Sequence, residues 1–203
     1  EHAEELRHYG HEAEWLDRDA VRAEIDSPTY LGGVWQKTGV ATLDPARLAW
    51  GLAAGAESFG GRIHEATPVL GLAAEGSGVS LETLGGRVRA RRVVLATSAF
   101  PPLVRSIRRY VVPVYDYVLM TEPLTDRQLA SVGWQNRQGI GDSANQFHYY
   151  RLTADNRILW GGYDAVYYFG RRIRAEHDQR YETFTKLAEH FFTTFPQLAD
   201  VRF

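Results

Sequence analysis

With 203 residues, of which 44% are hydrophobic and 24% charged, the chain has the composition of a soluble globular protein and can bury a core as one or two domains. Its formal net charge of −2 gives no reason to expect nucleic acid or an anionic membrane as a partner, and no apolar run reaches the roughly 20 residues of a membrane helix. The lack of cysteine excludes disulfides, thiol catalysis, thiolate metal sites and flavin attachment through sulfur, and it leaves a cytoplasmic location as the default expectation.

The first forty residues predict two short helices and one strand. Residues 3–9 are typical of a helix that is closed by Gly10. Asp17 is placed to cap a second helix that runs to about Ile25. Residues 31–35 then predict a short strand.

Asp44 and Pro45 open the clearest helix of the first half. Asp44 can accept hydrogen bonds from the first-turn amides, and Pro45 sits where a missing N–H costs nothing. Leu48, Leu52 and Phe59 give this helix one apolar face before two glycines end it.

A run of short strands follows, with glycine-rich turns at 76–78 and 85–86 that are natural hairpin connections. The predicted strands are residues 62–65, 67–72, 79–83, 87–90 and 93–96.

The second half predicts a longer sheet with two further helices. Its strands are residues 111–121, 146–152 and 157–163, and Pro113 indicates an edge or a bulge in the first of them. A helix capped by Thr125 or Asp126 ends at Gly133, and the last helix covers about 174–195.

The motifs for phosphate and metal binding are missing. No Gly-x-Gly-x-x-Gly turn between a strand and a helix occurs, so this sequence by itself should not bind a dinucleotide tightly. His8 and His11 are separated by the helix-breaking Gly10, and we interpret them as solvated polar residues. We expect no metal site, and no nucleophile, base and acid can be assembled into a hydrolase site.

An aromatic group on the predicted sheet is the more suggestive feature. Tyr117 lies on one strand, and Tyr149 and Arg151 share a face of another because side chains alternate along a strand. Hydroxyl and guanidinium donors on an apolar surface could form the floor of a site for a small carboxylate or amine. Trp160 precedes two glycines where a planar ligand could approach the backbone. Tyrosines that pack at a sheet edge, and a strand bulge at the glycines, explain the same residues equally well.

The order of these motifs resembles the D-amino-acid oxidase family of FAD-dependent oxidoreductases. In the first half the matching motifs are DPARL at 44–48, GGRI at 60–63, TPV at 67–69 and RVVLAT at 92–97. In the second half they are VPV at 112–114, LMTEPL at 119–124, YYR at 149–151 and RILWGG at 157–162, similar to the substrate-domain sheet of sarcosine, glycine and gamma-glutamylputrescine oxidase-like members. Ser98 stands where the family normally has glycine.

The resemblance implies an α+β fold, with a mixed or antiparallel substrate-domain sheet, helices and an incomplete portion of a Rossmann-like FAD-binding domain. The implied division is an N-terminal segment at 1–43, a partial FAD-binding domain at 44–104 and a substrate-binding domain at 105–203. We expect both ends to be cut from a longer chain, since the sequence starts without Met and ends on the start of a strand.

The implied function is oxidation of the C–N bond of an amine or amino acid by hydride transfer to FAD. The cofactor would be FAD in the longer parent protein, not retained by this chain, which would be inactive alone. The implied cofactor contacts are Val69, Ala96, Thr97 and Ser98, and the implied substrate contacts are Tyr117, Tyr149, Arg151 and Trp160; no catalytic residue is assigned. The alternative is a non-enzymatic ligand-binding or dimerising module, for which a homodimer through the aromatic strands would be suitable.

Overall fold

A computed structural model describes residues 2–203 and divides them into two compact units. The first unit contains the described residues up to Thr42, Tyr115–Val166 and Ala175–Phe203, and the second contains Leu43–Val114 and Tyr167–Arg174. Within residues 2–203, no helix has both the length and the apolar character needed to cross a membrane.

The N-terminal part of the first unit is a small two-stranded sheet with two helices. Its elements are α1 (His2–His8), β1 (Ala13–Leu16), α2 (Arg18–Glu24) and β2 (Gly33–Gln36), with β1 and β2 antiparallel. Asp17 is the N-cap of α2, and its carboxylate accepts a hydrogen bond from the amide of Ala20. The predicted cap is therefore confirmed.

The main body of the first unit is a four-stranded antiparallel sheet in the order β6, β9, β8, β7. The strands are β6 (Val118–Met120), β7 (Ile140–Gly141), β8 (His148–Leu152) and β9 (Ile158–Gly162). Helices α4 (Asp126–Val132) and α5 (Tyr181–Thr194) complete it.

The core of this unit lies between one face of that sheet and α5. Alternate residues of β8 and β9 are buried there because successive side chains of a strand point to opposite faces. The cluster is rich in aromatic residues, and its largest fully buried members are Trp134, Trp160, Phe191 and Phe195. This packing covers one side of the sheet and leaves the other side free of α5.

The second unit contains one long helix and a three-stranded antiparallel meander. Its elements are α3 (Pro45–Ser58), β3 (Val69–Glu75), β4 (Gly78–Thr83) and β5 (Gly86–Ala90), paired in chain order. Asp44 caps α3 by accepting from the amides of Ala46 and Arg47, with Pro45 at the first helical position, as predicted. Both glycine turns connect hairpins.

The α+β class with antiparallel sheets is confirmed, but several boundaries differ from the predictions. Residues 62–65 and 93–96 form no strand, because a strand needs a hydrogen-bonded partner and neither segment has one within residues 2–203. The predicted strand 111–121 is reduced to β6 with an isolated bridge between Tyr115 and Val166. The last helix starts at Tyr181, after a short 3-10 turn, and β1 and β7 were not predicted.

Candidate functional site

The four-stranded sheet has one face turned away from α5, and we call it the open face. The strand register aligns Val118, Gly161 and Tyr149 in one row across the sheet, and Met120, Leu159 and Arg151 in the next. Because side chains alternate along a strand, these six positions share the face opposite the core, and five of them place a side chain there while Gly161 has none. Val118 and Met120 are each 42% exposed, so the face presents apolar groups beside polar ones.

Tyr149 crosses the open face and joins two strands. Its hydroxyl donates a hydrogen bond to Oδ2 of Asp116, 2.7 Å away, just before β6. The ring passes over Gly161, where a Cβ atom would stand 2.8 Å from the Tyr149 Cζ and 2.5 Å from the Val118 Cγ1. The absence of a side chain at 161 is therefore what lets this tyrosine lie flat across β9.

The surroundings of Tyr149 keep its hydroxyl protonated, so that it can donate a hydrogen bond. Burial raises the pKa of its hydroxyl, and the hydrogen bond to the Asp116 carboxylate raises it further. The tyrosine is therefore protonated at neutral pH and directs its proton at Asp116.

Arg151 supplies the positive charge of the open face. It lies two residues after Tyr149 on the same strand, and its side chain is partly buried. Its guanidinium makes no hydrogen bond or ion pair with any residue in the part of the chain that the structure describes. An arginine in this state can bind a carboxylate with two parallel hydrogen bonds.

The open face therefore carries a carboxylate at Asp116 and a guanidinium at Arg151 on either side of an apolar strip. Asp116 was missed by the sequence analysis, although its place between Tyr115 and Tyr117 puts it on the opposite face from both by simple alternation. A face of this kind can hold a small molecule with an ammonium group at one end and a carboxylate at the other.

Two of the predicted substrate contacts lie on the helix-covered face instead. Tyr117 is 4% exposed, its hydroxyl donates to the backbone oxygen of His177, and its ring packs edge-on against Phe184. Trp160 is 1% exposed and packs against Phe191. The structure thus groups Tyr149 with Arg151 and separates this pair from Tyr117 and Trp160.

The predicted cofactor contacts all lie in the second unit. Val69 is the first residue of β3, and Ala96, Thr97 and Ser98 follow in a segment without regular structure. Ser98 has φ of 50°, in the left-handed region that glycine favours. Ser98 thus adopts the backbone conformation of the glycine that the resemblance places there. The described chain offers no glycine-rich turn for the pyrophosphate.

Residues 2–203 contain no group of three or more histidine or acidic side chains arranged to hold a metal ion. Arg151 and the Tyr149–Asp116 pair give the open face the groups to bind and orient a charged organic molecule.

Comparison with known proteins adds independent information. The family model described as FAD dependent oxidoreductase matches residues 1–203. The chain is 31% identical to gamma-glutamylputrescine oxidoreductase of Escherichia coli over 205 residues, covering 100% of this chain and 45% of that protein. It is 30% identical to the probable oxidoreductase OrdL of Haemophilus influenzae over 150 residues, covering 71% of this chain and 34% of that protein.

Two solved structures share the fold. L-proline dehydrogenase from P. horikoshii matches 98% of the chain with a TM-score of 0.76 and 19% identity, over 52% of that protein. Glycine oxidase from Geobacillus kaustophilus matches all of the chain with a TM-score of 0.70 and 22% identity, over 51% of that protein. The chain thus spans about half or less of the length of each of these relatives.

Proposed function

Because the chain belongs to the family of FAD dependent oxidoreductases, we propose that it is the central part of an enzyme that oxidises the C–N bond of an amine or amino acid. A flavin, when bound, would accept the hydride in this reaction. We also propose that this chain is inactive by itself. Its cytoplasmic location and a homodimer remain predictions.

The single observation that carries the proposal is the unpaired Arg151 beside the Tyr149–Asp116 pair on the open face. In this proposal the Arg151 guanidinium binds the carboxylate of the substrate, and Asp116 attracts its ammonium group. Val118 and Met120 exclude water from the carbon chain between them.

Tyr149 is assigned a positioning role. Its hydrogen bond holds the Asp116 carboxylate in place, and its raised pKa keeps it from acting as a base at neutral pH. No residue of the open face is assigned as the base that removes the amine proton.

We assign the flavin contacts within this chain to Val69 and to residues Ala96, Thr97 and Ser98. The support is the left-handed turn at Ser98, whose amide donates to no backbone oxygen among the described residues. These contacts cover one edge of a cofactor, which is why the chain alone should bind FAD weakly.

An absorbance spectrum and an FAD titration test the proposal. The purified chain is compared with the longer natural protein that contains it, and both are then mixed with amine and amino-acid substrates under air. We expect a flavin spectrum, bleached by substrate, for the longer protein and none for this chain. A longer protein without flavin would contradict the proposal and favour a non-enzymatic binding module.

A further inference from the structure

A cavity lies on the helix-covered side of the four-stranded sheet, on the opposite side from the open face. It has a volume of about 320 Å³ and is lined by Tyr30, His148, Tyr150, Trp160, His190 and nearby threonines. All of these residues belong to the first unit. The volume lies at the lower end of the range of small-molecule sites, about 300–1,000 Å³.

Trp160 brings a buried hydrogen-bond donor to this cavity. Its indole is 1% exposed, and no acceptor for its Nε1–H exists within residues 2–203. Buried donors in native proteins are nearly always paired, so an unpaired one beside a cavity indicates an acceptor that occupies the cavity, either a ligand atom or an ordered water that a ligand can displace.

The tyrosine pair brings a second donor. The hydroxyl oxygens of Tyr30 and Tyr150 are 2.6 Å apart, so one hydroxyl donates its hydrogen to the other. The hydrogen of the other hydroxyl has no acceptor among the described residues, and burial raises the pKa of both groups, so both stay protonated.

A chain of three titratable side chains ends at the same cavity. Asp142 Oδ2 lies 2.9 Å from His148 Nδ1, and His148 Nε2 lies 3.0 Å from His190 Nδ1. Burial opposes ionisation of Asp142, but hydrogen bonds from the backbone amides of His148 and Ala144 and from the His148 ring outweigh it and lower its pKa. Asp142 is thus a carboxylate that fixes the tautomers.

The tautomers determine what the cavity can bind. His148 Nδ1 donates to Asp142, so its Nε2 accepts from Nδ1–H of His190. The remaining nitrogen, Nε2 of His190, is a bare acceptor when the ring is neutral and becomes a donor when the ring takes up a proton.

We propose that this cavity is a binding site for the carboxylate of a small molecule, separate from the open face, and that binding is coupled to protonation of His190. One carboxylate oxygen accepts from Trp160 Nε1–H and the free tyrosine hydroxyl. The other accepts from Nε2–H of His190, whose Nδ1–H still donates to His148. One proton enters from solvent for each carboxylate bound, and no covalent bond changes.

The surrounding charges allow this uptake. Lys186 forms an ion pair with Asp164 at 3.0 Å and lies over the Tyr163 ring, and Arg180 also contacts Asp164. Glu189 precedes His190 on α5, and Asp142, which follows β7 directly, contacts His148. In the free state burial lowers the pKa of His190, with smaller effects from His148 and Lys186, so His190 is ready to gain a proton when an anion arrives.

The test uses the longer natural protein, with its tryptophan indoles labelled with ¹⁵N, and follows a titration with propionate by NMR. Propionamide, which has the same shape without the charge, is the matched ligand control. We expect propionate to move the Trp160 Nε1–H signal, with an affinity that falls about tenfold per pH unit above the pKa of His190. The calorimetric enthalpy should vary with the ionisation enthalpy of the buffer, as proton uptake requires.

Two variants assign the effect. Trp160→Phe should weaken propionate binding about tenfold, since one hydrogen bond to a charged group is lost, whereas the exposed Trp15→Phe should leave it unchanged. His190→Gln should remove the pH dependence, and this measurement stands even where Trp160→Phe fails to fold. Propionamide bound as tightly as propionate, affinity independent of pH, or an unmoved Trp160 signal would overturn the proposal. None of these readouts depends on flavin or on catalysis.

Discussion

A substitution of Arg151 can show whether this residue binds the substrate or only stabilises the sheet. Its guanidinium has no partner among the described residues, so its removal breaks no internal ion pair. In the longer natural protein we expect Arg151→Ala to raise the KM of a carboxylate-bearing substrate about tenfold or more, and that of the matching bare amine little. Steady-state kinetics with both substrates measures this difference. Equal increases would show that Arg151 serves only the packing of the sheet.

Gly161 decides whether Tyr149 can cross the sheet. A methyl group there would stand 2.5 Å from the Val118 Cγ1 and 2.8 Å from the Tyr149 Cζ. We expect Gly161→Ala to displace the ring, break the hydrogen bond to Asp116 and lower the free energy of unfolding by about 1–3 kcal/mol. Urea denaturation measures the change.

Gly141→Ala is the matched control in the same sheet, because the nearest atom to a new Cβ there is the His148 oxygen at 3.9 Å. It should change stability by less than about 0.5 kcal/mol. If both alanine variants were equally stable, the close contact at Gly161 would not constrain Tyr149.

His190 gives the first unit a pH dependence with a defined sign. Its pKa in the folded state is lowered, first by burial, so the unfolded chain binds protons more readily than the folded one. Stability therefore falls as the pH drops below the unfolded pKa of about 6.5, and it is unaffected above that value. The lowered pKa of Asp142 acts only at more acid pH, where that carboxylate itself takes up a proton.

Thermal unfolding in buffers without carboxylates, at about pH 7.5 and about pH 5.5, checks this expectation. The loss of Tm on acidification should be smaller in His190→Gln than in the wild type. His8→Gln, at an exposed position of α1, should leave the loss unchanged. An identical loss in all three proteins would assign the acid sensitivity to other groups.

Local patterns predict single side chains only where the partner is near in sequence. Tyr149 and Arg151 could be placed on one face because alternation along a strand needs no tertiary information. The hydrogen bond between His148 and His190 joins residues 42 positions apart, and that between Tyr149 and Asp116 spans 33. Neither pair leaves a signal in a single sequence, so Asp116 and the contact of His190 were missed. Asp142 lies only six positions from His148, but an irregular segment without a periodic pattern joins them, so it was missed as well.

At the scale of elements, α4 shows how much a helix depends on its cap. The side chain of Thr125 accepts from the amide of Gln128, and the side chain of Gln128 accepts from the amide of Thr125. We expect Thr125→Ala to lower the free energy of unfolding by about 1 kcal/mol, because the amide of Gln128 loses the hydroxyl that accepts its hydrogen bond, and Thr125→Ser to retain most of this stabilisation. Chemical denaturation measures both.

Thr185→Ala serves as the control, since Thr185 is exposed inside α5 and makes no side-chain hydrogen bond among the described residues. Removal of its branched side chain should be neutral or stabilising by a few tenths of a kcal/mol. A loss at Thr185 equal to that at Thr125 would mean that general helix propensity, and not the cap, is being measured.

The same locality explains which elements were predictable. Caps at Asp17, Asp44 and Thr125 act within three residues. The first two were predicted correctly, and of the two predicted alternatives for the third, Thr125 and Asp126, the structure has Thr125. Strands depend on remote partners. The residues 93–96 have the composition of a buried strand, yet Val94 is 88% exposed because no neighbouring strand pairs with it in residues 2–203.

At the scale of the molecule, the second unit leaves an apolar surface on α3 exposed. Leu48, Leu52 and Phe59 share one side of the helix and are 48%, 65% and 93% exposed. A stripe of this kind is rarely left in water, and the chain spans about half or less of the length of its relatives. We expect the apolar side of α3 to be covered, in the longer natural protein, by further parts of a flavin-binding domain.

A charge introduced on the apolar side of α3 tests this expectation in that longer protein. Leu52→Lys should abolish FAD retention, because a covered lysine would lose its hydration without gaining a partner. Glu57→Lys, on another side of α3, should retain FAD. Flavin absorbance after gel filtration, together with circular dichroism to follow folding, measures both variants. Full FAD retention in Leu52→Lys would show that this side of α3 stays in water, and the flavin domain would then have to be completed at the unpaired segments 62–65 and 93–96 alone.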